Sequence, residues 1–518
     1  MPVTLNSMNL CHYFLEGKSP DTPALFTLSG TYTYGDLARA ACQVSAFLIA
    51  SGGKKGDRAL ILAENDFFWV AAYLGTLRAG MIAVPIPATT SACDLASIIG
   101  SAEPAFAFVQ RRLLLQHGAV LGGIRTVVDI APNALDSTNV TNIASIFGSQ
   151  LDCPAADMDP EDLAALMFTS GSTGTPRGVM VSARNIIANT ESIILYLNLT
   201  ANDRILDVLP FHYCFGASLL HTHLRVGGSV VIEPRFMYVE KVLERLVQTE
   251  CTGFAGVPSH YQILLRKSSI ARQAFPKLRY VQQAGGHLAP AFIEQLRAAL
   301  PNTDIFIMYG QTEATARLTY LPPHKLIAKL GSIGQPIPGV KLSILNDRGQ
   351  AVETGTTGEI VAEGDSITRG YWRDEHDTRL KFRDGKLYTG DLASMDTDGF
   401  IFITERAGDF LKCGGKRVSC RRIEDTLLEC DILVEAVVVP TRDDTLGEAA
   451  KAFVVPRDRL ADSVAEKVRA FCRAHLPLAL VPKEVVVTDK LPKNSSGKVL
   501  KHLLRDQQPL ALARAVSR

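Results

Sequence analysis

No apolar run in this chain reaches the roughly 18 residues that a bilayer span requires. Charges, glycines or prolines interrupt each one, although mean hydropathy is +0.12. A transmembrane segment is therefore not expected. Net charge is almost absent too: 54 Lys+Arg against 53 Asp+Glu leave +1, and the pI is near 7.6. No global field draws the chain to nucleic acid or anionic lipid, so neither is expected as a partner and any charged ligand must be met at a local site. Ten cysteines are scattered from Cys11 to Cys472 without a Cys-x-x-Cys pair, and the nearest two, Cys413 and Cys420, have no His cluster beside them. That excludes a zinc set and points to reduced, mostly buried thiols. Residues 1–20 lack a basic segment followed by an apolar stretch and a small-residue cleavage site, so a cytoplasmic location is expected. Internal repeats and low-complexity tracts are missing, and 47% hydrophobic with 21% charged residues excludes a disordered or collagen-like chain.

What is present is alternation. At 518 residues the chain allows about three domains, or fewer larger ones. Short β-branched runs alternate with helical patterns: Ala59 to Leu62 before a helix through Phe67 to Arg78, and Ser229 to Ile232 before a helix through Tyr238 to Gln248. Leu278 to Gln282, Pro290 to Ala299 and Asp304 to Met308 continue the rhythm of parallel strands with crossover helices. From about Val340 the texture becomes β-rich, with Val340 to Leu345, a turn at Asn346–Gly349, and Gly358 to Glu363, which predicts a small antiparallel subdomain. After Ile401 to Thr404 a polar stretch, Glu405 to Asp409, is the expected interdomain hinge. A βαβ-like tail is expected beyond it, with strands at Val434 to Val439 and Lys451 to Val455.

Five short motifs carry chemistry. Thr169-Ser170-Gly171-Ser172-Thr173-Gly174-Thr175-Pro176-Arg177-Gly178 lies between the apolar strands Leu163–Phe168 and Val179–Val181. Small hydroxyls and glycines bring backbone N–H groups close to phosphate oxygens, and Arg177 adds charge. A flexible linker could share this composition, but a linker seldom sits between two apolar strands. The Walker pattern cannot be fitted, because Pro176 occupies the run and no Lys follows. Tyr309-Gly310-Gln311-Thr312-Glu313 follows a strand at its carboxyl end, where α/β sheets place ligands. Its hydroxyl and carboxylate suit phosphate and Mg²⁺, although a turn with a helix-capping Thr would read the same. Tyr388-Thr389-Gly390-Asp391 offers a carboxylate at a tight turn, suited to two neighbouring ribose hydroxyls or to a plain turn. The runs Arg406 to Lys416 and Leu491 to Lys498 complete the set; the second can deliver a mobile ammonium, or hold a solvated surface lysine.

In this order and spacing, the five motifs resemble those of the adenylate-forming superfamily, which contains acyl-CoA synthetases, adenylation domains and firefly-type luciferases. The resemblance runs from Thr169 to Lys498 and implies an α/β fold. A large N-terminal adenylation domain of stacked, mostly parallel sheets with helices and a small β subdomain would span residues 1–407. A small mobile α+β C-terminal domain over 408–518 would carry a catalytic lysine. The implied activity is ATP-dependent activation of a carboxylic acid to an acyl-adenylate with release of pyrophosphate, followed by transfer to a thiol.

By the same resemblance, Thr169 to Gly174 and Arg177 cradle the β- and γ-phosphates; Tyr309, Gly310 and Gln311 belong to the nucleotide site, Thr312 meets the α-phosphate, and Glu313 holds Mg²⁺. Asp391 binds the ribose with help from Arg406, and Gly285, Gly286 and His287 lie beside adenine. Lys498 bridges the substrate carboxylate and the α-phosphate. Thiolation would require the C-terminal domain to rotate, replacing the Lys498 face with the loop around Lys412 to Gly415. The pivot position holds Gly408 where Asp or Lys is usual; Arg177 stands where Lys is common, and Cys420 where Pro is frequent.

The acid is expected to lack an α-amino group, because Leu209 to Gly216 offers His212 where amino-acid-activating relatives carry an Asp. Candidate pocket residues are His212, Tyr213, Phe215, Gly216, Gly285 and Met308. Two acceptors remain open: free CoA, whose phosphates Lys416, Arg417, Arg421 and Arg422 could meet, or the phosphopantetheine of a separate acidic carrier protein. The lack of a fused carrier after residue 518 favours CoA.

Overall fold

The computed structural model describes residues 9–129, 139–149, 153–170, 176–406, 410–413, 416–443, 447–458, 463–494 and 497–505. Two sheets dominate. The larger has nine strands, and its centre is parallel: Ser229–Ile232, Arg204–Asp207, Gly253–Gly256, Tyr280–Gln283 and Asp304–Tyr309 lie side by side. The second has seven strands and is parallel except for Pro176–Ser182, which returns antiparallel along Leu163–Ser170.

Helices fill the space between these sheets, and their composition shows it. Phe67–Arg78 has ten of its twelve residues buried, and Cys214–Val226 eleven of thirteen. A helix apolar all round needs cover on every side, and one continuous core joins both helices to Ile61 and Phe108 of one sheet and to Ile232 and Met308 of the other. By contrast Val239–Gln248 buries only Val242, Leu243 and Leu246 and lies on the outside.

The β-rich region is an antiparallel five-stranded sheet running from Val340 to Arg406. Residues 388–391 are not a tight turn there. They lie inside the ten-residue strand Lys386–Met395, and the register slips between Val361 and Glu359 opposite Gly390, at φ +78°. The motif is therefore a bulge, a device that re-aims one side chain without ending the strand.

The C-terminal region has a five-stranded sheet of its own, with helices Cys420–Glu429 and Val464–His475. Its strands Leu433–Asp443 and Gly447–Pro456 pair antiparallel as a hairpin, so the expected βαβ connection between them is wrong. The connection is too short to hold a crossover helix. The parallel unit comes later, from Gly447–Pro456 through Val464–His475 to Glu484–Val487. Cys420 occupies the first helical position, where Pro is favoured, and is fully buried. Among the described residues no helix is long and apolar enough to cross a membrane.

Candidate active site

The strand Asp304–Tyr309 delivers the central motif. Gly310 follows it because the chain doubles back: a Cβ there would lie 1.9 Å from the Ala316 carbonyl oxygen. Thr312 to Ala314 then form a single 3₁₀ turn. Thr312 is buried and its hydroxyl reaches Cys214 Sγ at 3.5 Å, at the start of the Cys214–Val226 helix. The Glu313 carboxylate accepts a 2.6 Å hydrogen bond from the Tyr371 hydroxyl. Tyr309 donates to Asp391 Oδ2 at 2.7 Å, tying the parallel sheet to the antiparallel one. Across that second sheet Asp391 pairs in register with Arg406.

Of the expected phosphate loop only the stems are described. Thr169 opposes Arg177 and Ser170 opposes Pro176 in an antiparallel pair; Gly171, Ser172, Thr173 and Gly174 lie outside the described residues. The Arg177 guanidinium is engaged by Asp374 at 3.7 Å and, more closely, by Asp377, with the Tyr371 ring 5.8 Å away. Its charge is thus shared with two carboxylates on the segment that also supplies the Glu313 partner.

Val257 links two parts of the site. A Cβ at Gly285, which has φ +84°, would lie 3.0 Å from Val257 Cγ1 and 4.0 Å from the Tyr213 hydroxyl. One at Gly497, at φ +81°, would lie 3.0 Å from Val257 Cγ2. Gly286 is similarly close to Pro258. The loop carrying Lys498 is therefore seated on Val257, whose other methyl meets Gly285, with the Lys498 N–H bonded to Asn494 Oδ1 at 2.9 Å. Lys412 is elsewhere: its N–H meets Glu448 Oε2 at 2.5 Å, within the C-terminal sheet. Gly408 and the Arg406 side chain lie outside the described residues.

His287 turns toward the C-terminal region. Arg421 donates to its Nδ1, so the ring proton sits on Nε2, which donates to Asp425 Oδ1 at 2.7 Å. Burial pulls the His287 pKa below the usual value, with Asp425 opposing. Arg421 also bonds the Ile403 carbonyl, which withdraws it from the proposed CoA-phosphate cluster. Arg422 is exposed, and the Lys416 and Arg417 side chains lie outside the described residues.

On the pocket side, Gly216 is required by close packing, since a Cβ would lie 2.3 Å from the Pro210 carbonyl oxygen. Phe215 and Met308 are buried in the core between the sheets. Burial pushes His212 down to about 4, so it is neutral at physiological pH. Three residues that contribute here were not picked out from sequence: Tyr371, Cys214 and Arg317. The one sequence signal that marks Arg317 is its charge inside the run Ala314 to Leu318.

The model of the family described as "AMP-binding enzyme" matches residues 16–372, and that of its C-terminal domain matches 422–498. The chain belongs to the AMP-binding enzyme family. It is 28% identical over 507 residues to the oxalate–CoA ligase of Arabidopsis thaliana, covering 94% of this chain and 96% of that protein. To a long-chain-fatty-acid–CoA ligase of Bacillus subtilis it is 28% identical over 524 residues, covering 95% and 92%. The o-succinylbenzoate coenzyme A synthetase of Bacillus subtilis, solved with ATP and magnesium ion, superposes with a TM-score of 0.82 at 26% identity, covering 96% of this chain and 99% of that one. As an AMP-binding enzyme the chain has both parts of the family's architecture, and its lysine-bearing loop faces the larger one.

Proposed function

We propose that this AMP-binding enzyme is an AMP-forming acid–thiol ligase with CoA as acceptor. The observation that carries the reading is the seating of the Gly497–Lys498 loop on Val257, beside Gly285 and one strand from Thr312. In the first step a carboxylate oxygen attacks the α-phosphorus of ATP and pyrophosphate leaves. Both reactants are anionic, so the site must supply cations and dipoles where charge concentrates. Lys498 is assigned to the carboxylate and α-phosphate, Thr312 to the α-phosphate, and Asp391 with Arg406 to the ribose. Thr169 to Gly174 and Arg177 are assigned to the outer phosphates.

The residues fit Mg²⁺ as that ion is usually held, through one or two carboxylates plus substrate phosphates. Glu313 presents one carboxylate, oriented by Tyr371. Among the described residues no cluster of three ligating side chains forms an all-protein cage. When bound, the ion would neutralise phosphate charge.

In the second step the CoA sulfur attacks the acyl carbon, AMP leaves, and the thiol proton is lost. We place the domain boundary at 407/408, the pivot at Gly408, and Lys412 at the thiol-transfer face. The acid lacks a free α-amino group in this reading, with His212 in the pocket. A cytoplasmic setting is supported by ten free cysteines.

Pyrophosphate release across short, medium, long and aryl acids, with products identified by mass spectrometry in the presence of CoA or a phosphopantetheinylated carrier, tests the proposal. CoA thioesters are expected. Thioester formed only on the carrier would replace CoA as acceptor, and no pyrophosphate release with any acid would end the reading.

A further inference from the structure

Arg317 is 1% exposed and among the largest fully buried side chains. Its guanidinium carbon lies 4.0 Å over the Phe215 ring, its Nε meets Met308 Sδ at 3.4 Å, and it hydrogen-bonds Tyr196. Among the described residues its Nη2 has no hydrogen-bond partner, and no ion pair to it is found. A guanidinium stays charged at any accessible pH, and charged side chains are almost never fully buried unless paired. A residue held this way is built for a partner that the described residues do not supply.

Its neighbours include two of the candidate pocket residues. Phe215 and Met308 flank the guanidinium. The residue before Phe215, Cys214, touches the Thr312 hydroxyl and also feels the Arg317 charge. Thr312 and Arg317 are thus separated by the first turn of one helix. A second unsatisfied group lies on the strand next to that of Met308: Gln282 is 1% exposed with neither amide atom partnered among the described residues, in register with Phe306. The Arg317 backbone is fixed from behind by Asn189 Nδ2, which donates to its carbonyl at 3.1 Å.

Resting on the acid–thiol ligase reading, we propose that Arg317 selects a short dicarboxylic acid. One carboxylate is adenylated at Thr312 and Lys498, and the other is bound by the Arg317 guanidinium. The planar fork of Arg suits such a partner, because it can give two parallel N–H···O bonds to one carboxylate. A monocarboxylic acid of equal length would leave a desolvated cation facing methyl or methylene. Sites built to hydrogen-bond one group reject analogues lacking it far more strongly than they reject a change of length.

The test compares malonate, succinate and glutarate with propanoate, butanoate and pentanoate in pyrophosphate release by the full-length enzyme with CoA. One dicarboxylate is expected to exceed its length-matched monoacid by about 100-fold or more in kcat/KM. In Arg317→Met the preference collapses, mainly through KM for the diacid, with the Kd for ATP unchanged, and Arg317→Lys recovers part of it. If the wild-type enzyme turns over monoacids and ignores diacids, or if Arg317→Met slows both series equally, the proposal is overturned while the ligase reading stands. If no acid in a wider aliphatic and aryl panel releases pyrophosphate, the reading fails and takes the proposal with it. The wild-type comparison is decisive even if a variant does not fold.

Discussion

His287 of the large domain donates its Nε2–H to Asp425 of the C-terminal region at 2.7 Å, with Arg421 on the other ring nitrogen. The same face is reinforced by Arg266 and Asp431 at 3.2 Å, and the helix Pro258–Lys267 packs on the strand Leu433–Asp443. These contacts belong to the arrangement that seats Lys498. Asp425→Ala should therefore slow adenylate formation several-fold and leave thioester formation from pre-formed adenylate close to wild type. Measured separately, equal slowing of the two half-reactions would show that Asp425 does not favour one arrangement.

Tyr371 orients Glu313 through a single hydrogen bond, and Phe is nearly isosteric with Tyr. Hydrogen bonds to charged groups contribute roughly 1.5–3 kcal/mol. Tyr371→Phe should accordingly raise the Mg²⁺ concentration for half-maximal pyrophosphate release by about tenfold or more, with little change in melting temperature. A Mg²⁺ titration of both proteins checks this, and an unchanged midpoint would remove Glu313 from the metal's coordination.

Gly497 combines a left-handed backbone with a 3.0 Å approach to Val257 Cγ2. Gly497→Ala places strain of order 1 kcal/mol at the φ angle and a methyl against Val257. A loss of about tenfold in adenylation is expected, partly restored by adding Val257→Ala. If the double variant is no better than the single, the two residues do not meet in the active arrangement.

Two deeply buried histidines set an acid limit on stability. Burial pushes His221 down to about 3 and His223 to about 4, the first bonded to the Tyr73 hydroxyl and the second to that of Tyr280. The unfolded chain takes up these protons near pH 6.5, while the folded chain refuses them until much lower pH. Their stabilisation is complete above about pH 6.5 and is lost as pH falls toward 4, at up to about 1.4 kcal/mol per unit per histidine. Thermal unfolding at pH 7.5 and 5.0 should show a clear fall, and His223→Gln should reduce the difference. A melting temperature flat across that range would contradict the assignment.

Periodic, strongly patterned elements were legible in the sequence. The helices Phe67–Arg78 and Pro290–Ala299 and the strand Val340–Leu345 have the expected limits. What failed depended on pairing rather than on local pattern. The Tyr388–Asp391 motif alternates inside and outside along the strand, and its glycine marks a bulge that only the neighbouring strand reveals. Cys214 and Tyr371 were missed because each acts through a residue far away in sequence. In the sequence Arg421 groups with Lys416, Arg417 and Arg422 as a cation for CoA phosphates, whereas on the helix from Cys420 it turns to the Ile403 carbonyl and His287.

The pairing of Asp391 with Arg406 gives the site a mechanical property. Arg406 is the last described residue before the start of the C-terminal region, and its strand is clamped beside the carboxylate assigned to the ribose. If Asp391 takes the ribose as proposed, the nucleotide would sit one strand away from the last described residue of the larger region, so its binding would bear on the strand that leads to the smaller one.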